Sequence, residues 1–214
     1  MNKELFNRIL SSFIMLPASL YLILEGSYLF LIFIFVCFFL SAYEWHSMSK
    51  NKFYNFLGFI LLIFSFYSFY RMRIDYTVDY ILIVLLICIS TDIGGFIFGK
   101  IFGGPNITKI SPKKTYTGTF GGYLLSLLSI YIYQLSSYTN LSFKFNKEIF
   151  FIILTISTIS QLGDLSISYF KRISKIKDTG KIIPGHGGIL DRIDGMIFVF
   201  PSVYILIKFN LFVF

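Results

Sequence analysis

The sequence predicts an all-α, polytopic membrane protein of about seven transmembrane helices, with two polar cytoplasmic loops forming the site. Three observations predict it. The first is a charge deficit: of 214 residues, 56% are hydrophobic and only 14% are charged, with a mean hydropathy of +0.74. A soluble domain carries about 25% charged residues, and a water-facing surface is not built from so few. The second is the grouping of apolar residues into runs close to the ~20 needed to cross the hydrocarbon core as a helix. The third is the confinement of the 19 Lys and Arg mainly to short segments between those runs. Together they exclude an ordinary soluble globule, a disordered chain and a disulfide scaffold.

Taken in order, the expected spans lie at about 5–24, 27–43, 53–70, 78–98, 118–138, 148–168 and 195–213. The first follows Lys3 and Arg8, as a signal peptide would, but no small-x-small cleavage pattern precedes the second span. It therefore reads as a retained anchor. The second and fourth spans hold Cys37 and Cys88, read as inert packing residues. Five acids precede residue 90 (Glu4, Glu25, Glu44, Asp75 and Asp79), all near expected span ends and read as solvated anchors. Residues 1–90 thus look like scaffold, and about 88–214 like the catalytic part of one membrane-embedded domain.

Orientation follows the basic residues. With the N-terminus inside, fourteen of the nineteen Lys and Arg fall on the cytoplasmic side. The same parity places the two longest loops, about 99–117 and 169–194, on that side. The net charge of +8 is not spread along a soluble face, which argues against nucleic acid and for phosphate-bearing ligands or an anionic leaflet.

The stretch Gly163–Gly195 concentrates the chemistry. Lys171, Arg172, Lys175, Lys177, Lys181 and Arg192 are positioned to neutralise phosphate charge. Pro184, Gly185, Gly187 and Gly188 bracket His186 in a turn whose backbone can approach a ligand. Its N–H groups are expected to line an anion-binding nest before the last helix. Asp191 and Asp194, three apart, share one helical face, and Asp164 closes the preceding span. Carboxylates beside phosphate-binding cations suit Mg²⁺. In the other loop, Asp92 lies within an apolar span, and Ser111, Lys114 and Thr115 offer donors to a triphosphate around the turn fixed by Pro112.

Each signal has a plainer reading. A juxtamembrane basic cluster serves as a topology determinant or headgroup anchor. A lone His in a Gly-rich loop can be structural, and an Asp-x-x-Asp pair at a helix start can simply complement the helix dipole. Their concentration in one stretch favours a site, because acids entering a membrane domain are costly.

The run from Ser168 to Asp194 resembles the signature of the phosphatidate cytidylyltransferase (CDP-diacylglycerol synthase) family. The resemblance is carried by Ser168, Lys171, Arg172, Lys177, Asp178, Gly180, Pro184, His186, Gly187, Gly188, Asp191, Arg192 and Asp194. It extends to Asp92, Gly94, Gly95, Ser111, Pro112, Lys114 and Thr115, but Lys113, Tyr116 and Thr117 stand where the family usually has Gly, Trp and Glu. It implies transfer of the cytidylyl group of CTP to phosphatidic acid, giving CDP-diacylglycerol and pyrophosphate at the inner membrane, with Mg²⁺ and room for a second cation. It also implies association as a homodimer.

In that reading Asp164, Asp191 and Asp194 hold metal, with Asp92 and Asp178 as secondary ligands. Lys171, Arg172, Lys177 and Arg192 neutralise phosphates. His186, Gly187 and Gly188 shape the loop over the triphosphate, and Ser111, Pro112, Lys114 and Thr115 complete the nucleotide side. Two alternatives remain: a CTP-dependent kinase of a polyprenol-type alcohol, and a small membrane transporter. The paired half-repeats typical of transporters are not evident, and neither is the motif of CDP-alcohol phosphotransferases.

Overall fold

The computed structural model describes residues 3–50, 52–108, 111–135, 145–183, 185 and 187–211, with the side chains of 3–10 and 12 outside that set. Eight helices follow in order: α1 (Lys3–Glu25), α2 (Tyr28–Ser49), α3 (Tyr54–Asp75), α4 (Val78–Phe102), α5 (Tyr116–Leu135), α6 (Lys147–Ile173), α7 (Leu190–Ile193) and α8 (Met196–Lys208). Among the described residues there is no strand, only isolated bridges at Asn106–Thr115 and Ile183–Gly187.

Every expected span coincides with a helix, but four of them, α2, α3, α4 and α6, are long and apolar enough to cross a membrane. A chain with several such helices is a multi-pass membrane protein. Of the other three, α8 has 13 residues, about 20 Å at 1.5 Å per residue, against a core of about 30 Å, and α5 is diluted by Gly, Thr, Ser and Tyr. α1 has 23 residues, of which Phe13–Glu25 form the apolar stretch with described side chains.

The chain divides into two compact units, one of Met1–Val78 with Phe170–Asp194, the other of Asp79–Tyr169 with Gly195–Phe214. The N-terminal helices thus share a unit with most of the signature segment. In the first unit α2 packs against α1, α3 and α7. Gly26, at φ +65°, ends α1 in the left-handed conformation that favours glycine. The last carbonyls of α1 are met by Arg73, whose Nε and Nη2 donate to Ile23 and Leu24 at 2.8 and 2.9 Å. Trp45 is buried, edge-on to Phe170 and Tyr54, and its indole N–H donates to the Asn55 carbonyl at 3.0 Å. Tyr54 in turn shares a 3.0 Å hydrogen bond with Ser174. The C-terminal end of α2 thus fixes the chain as it leaves α6.

In the second unit α4 and α5 meet backbone to backbone. A Cβ at Gly118 would lie 2.7 Å from the Gly95 carbonyl oxygen, and one at Gly94 would enter the Gly121 carbonyl. Small residues allow such approach, which drives helix association where lipid supplies no hydrophobic force. Hydroxyl pairs add to it: Thr91–Ser157 at 2.8 Å, Tyr123–Thr158 at 2.9 Å and Ser129–Ser90 at 3.0 Å.

Candidate active site

The signature segment leaves α6 through a tight stop. Lys175 adopts φ +57°, and the Ile176 N–H donates back to the Lys171 carbonyl at 3.0 Å. The chain then forms the loop Thr179–Ile189, narrowed by the Ile183 N–H to Gly187 carbonyl bond of 2.9 Å. Gly185 and Gly187 take φ +77° and +84°, conformations from which a side chain is nearly excluded.

Two carboxylates hold this loop. Asp191 Oδ1 accepts from Lys171 Nζ at 2.9 Å, and its Oδ2 accepts from the N–H groups of Thr179 and Gly188 at 2.8 and 3.0 Å. The side chains of this ion pair are 11% and 4% exposed, lysine first. Burial alone pushes the Asp191 carboxyl up, but the Lys171 and backbone hydrogen bonds outweigh it and leave the group below the usual aspartate value. The second carboxylate is Glu44 of α2, only 1% exposed. Its Oε1 accepts from the Ile189 N–H at 3.0 Å, and its Oε2 accepts from the Leu190 N–H at 2.8 Å and the Thr179 hydroxyl at 3.1 Å.

Two expectations are corrected here. Glu44 is a buried structural partner rather than a solvated anchor, because α2 runs on to Ser49 and places it a turn inside the helix. Asp79 is likewise buried, 5% exposed, and accepts from the Tyr133 hydroxyl at 3.0 Å. Of the N–H groups expected to form a nest, that of Gly188 donates to Asp191, and those of the next two residues, Ile189 and Leu190, donate to Glu44. The basic residues Arg172, Lys175, Lys177 and Lys181 around this loop are exposed.

Within the second unit, Lys114 Nζ lies 2.5 Å from Asp164 Oδ2 and donates to the Gln161 carbonyl at 3.3 Å. Asp164 Oδ1 accepts from the Ser168 hydroxyl at 3.3 Å. Ser111–Pro112–Lys113–Lys114 forms a turn closed by the Lys114 N–H to Ser111 carbonyl bond of 3.0 Å, with Pro112 and Lys113 exposed. Thr115 is buried, and its hydroxyl accepts from the Gly118 N–H at 3.1 Å, as an N-cap of α5 does. Thr117, where the family usually has Glu, hydrogen-bonds Thr115 and the Gly103 carbonyl.

The structure thus brings together Lys171, Asp191, Gly188 and Thr179 in one unit, and Lys114, Asp164 and Ser168 in the other. Asp92 and Asp178 are exposed, as is Arg192, and Asp194 is half-buried. His186 and Pro184 lie outside the described residues. Sequence reading missed Glu44, although a lone acid in the run F-F-L-S-A-Y-E-W, beside small residues that allow close packing, is a signal. Among the described residues no three His, Cys, Asp or Glu side chains gather as a metal cage. The donor chemistry nevertheless suits Mg²⁺, which is commonly held by one or two carboxylates together with substrate phosphates.

A family model described as the cytidylyltransferase family matches residues 6–77 and 55–210. A phosphatidate cytidylyltransferase of Rickettsia bellii is 35% identical over 210 residues, covering 95% of this chain and 90% of that protein. Phosphatidate cytidylyltransferases of Staphylococcus epidermidis and Staphylococcus aureus are 38% and 40% identical over 75% of the chain. The aligned part spans 63% of each staphylococcal protein.

Proposed function

The chain belongs to the cytidylyltransferase family, and we propose that it is the nucleotidyltransferase that makes CDP-diacylglycerol from CTP and phosphatidic acid. The observation that carries the reading is the alignment along nearly the whole chain with a phosphatidate cytidylyltransferase, joined to the filled signature from Ser168 to Asp194.

The phosphate monoester oxygen of phosphatidic acid attacks the α-phosphorus of CTP. The bond from that phosphorus to the bridging oxygen breaks, and pyrophosphate leaves. An ionised phosphate needs no general base, so the work of the chain is to bind, orient and neutralise. Exposed Lys177, Lys181 and Arg172 meet the triphosphate, with Arg192 assisting, while Asp191 and Lys171 keep the loop beneath them in shape. Ser111 and Lys114 serve the nucleotide from their own loop. Mg²⁺ arriving with CTP would supply further charge neutralisation of the triphosphate. Asp164 in one unit, and Asp191 or Asp194 in the other, are each proposed as its ligand, to be tested singly.

The same proposal includes seven spans, a cytosolic N-terminus and a cytosolic site in the inner membrane, from the asymmetry of Lys and Arg. It also includes contact with membrane lipids and a homodimer. The deciding assay uses detergent-purified protein, phosphatidic acid, Mg²⁺ and CTP labelled at the α- or the γ-phosphate. Label from the α-position in CDP-diacylglycerol, with equimolar pyrophosphate and loss of product in EDTA, is expected. No CDP-lipid from folded protein, or γ-label in a lipid phosphate, overturns the reading, the latter in favour of a lipid kinase.

A further inference from the structure

Glu44 belongs to the half of the chain that reads as scaffold, yet its carboxylate is built into the signature loop. Among the described residues, its hydrogen-bond partners all lie at Thr179, Ile189 and Leu190. The loop is shaped to admit it. A Cβ at Gly180 would sit 2.5 Å from Glu44 Oε1, and a Cβ at Gly188 would enter Oε2 and the Thr179 hydroxyl. Glycine at these two positions is therefore required by the approach of this carboxylate, rather than by a left-handed backbone.

The two acids divide the loop between them. Thr179 donates its N–H to Asp191 and its hydroxyl to Glu44. Gly188 donates to Asp191, and the next two N–H groups donate to Glu44. Glu44 thus fixes both ends of the segment carrying Lys181, Gly187 and Gly188.

We propose that Glu44 is a positioning residue for nucleotide binding, fixing Thr179 at one end of the signature loop and Ile189 and Leu190 at the other so that exposed Lys181 meets CTP. This rests on the cytidylyl-transfer reading, and it acts on substrate only through the loop. Gln is not an adequate replacement. Its single amide oxygen accepts at one carboxylate position, while its NH₂ group faces a backbone N–H at the other. Asp keeps the charge but withdraws it by one methylene.

The test compares wild type with Glu44→Gln, Glu44→Asp and Thr179→Val. Binding of radiolabelled CTP is measured by equilibrium dialysis in detergent, alongside KM for each substrate. Trp45, the single tryptophan and buried beside this region, reports folding through its emission. The expected result for Glu44→Gln is a tenfold or greater loss of CTP affinity, with KM for phosphatidic acid within twofold. Glu44→Asp falls between, and Thr179→Val, which removes only the hydroxyl donor, weakens CTP binding about threefold. Unchanged CTP affinity in folded Glu44→Gln, with only a smaller active fraction, overturns the proposal. If that variant does not fold, unchanged CTP affinity in Thr179→Val overturns it. Wild type that binds CTP but makes another product refutes the activity reading alone and leaves the Glu44 result to be judged by binding.

Discussion

Replacing Asp191 by asparagine tests the arrangement of the signature loop most directly. At 2.9 Å the Lys171–Asp191 pair has a gross attraction of about 6 kcal/mol at an effective dielectric of about 20. Desolvation of two buried ions offsets most of it, so the pair as a whole contributes little relative to an apolar substitute. Removing one partner is different, because it leaves the other charge buried. In Asp191→Asn the new amide oxygen still accepts from Thr179 and Gly188, but the NH₂ group beside it then faces the Lys171 ammonium. A loss of about 3 kcal/mol is expected. For a chain of this size that is roughly 6–12 °C in apparent melting temperature. Lys171→Met alone should cost about 2 kcal/mol, since the two N–H donors to Asp191 remain. The double variant should lose only about 1–2 kcal/mol, a coupling of roughly 3–4 kcal/mol.

Melting followed by Trp45 emission is the assay, because that ring packs on Phe170, the neighbour of Lys171. The pH dependence adds a second check. The folded Asp191 carboxyl titrates below its unfolded value, so its contribution is complete above the ordinary aspartate pKa of about 3.9 and fades as pH falls through the lower folded value. The gap between wild type and Asp191→Asn should be constant from about pH 5 to 7 and narrow below about pH 4. Additive single variants, or a gap that opens on acidification, would refute the reasoning.

Two further outcomes follow from local geometry. Gly188→Ala drives a Cβ into Glu44 and Thr179 and should destabilise by about 1–3 kcal/mol through overpacking; a melting temperature equal to wild type would show that the loop yields. Thr115→Ala removes the N-cap of α5 and should cost about 1 kcal/mol, largely restored by Thr115→Ser, as read by thermal melts of the purified protein.

The helices were legible because their signal is local. An apolar run of helical length identifies itself, and the four helices long and apolar enough to cross a membrane lie where such runs predict them. Glu44 was illegible for a boundary reason and a distance reason. Ending the second span at residue 43 made it a solvated end residue, whereas α2 continues to Ser49. Its partners lie 135 to 146 positions away, and periodicity carries no information on such pairings. Thr115 shows the converse case. Its place in a polar loop suggested a hydroxyl for a ligand, and directly ahead of a helix the same residue type is also the preferred cap, a role that this hydroxyl fills toward Gly118.

The hydrogen bonds of Gly188, Ile189 and Leu190 bear on how the loop would recognise an anion. Backbone N–H groups form a rigid, specific cradle, and here Glu44 and Asp191 occupy it. The basic residues divide correspondingly. Lys171 and Lys114 are each committed to a carboxylate, at 2.9 and 2.5 Å, whereas Lys175, Lys177 and Lys181 are exposed. Asp191 and Glu44 therefore hold the loop, and the lysines around it present their charge outward. On the proposed activity, lysine ammoniums on flexible stems would adapt to a triphosphate that changes charge and geometry during transfer. On the same activity the segment attracts a polyanion despite its acids because Asp191 is turned toward Lys171 and two N–H groups, while the charge of Lys175, Lys177 and Lys181 is exposed.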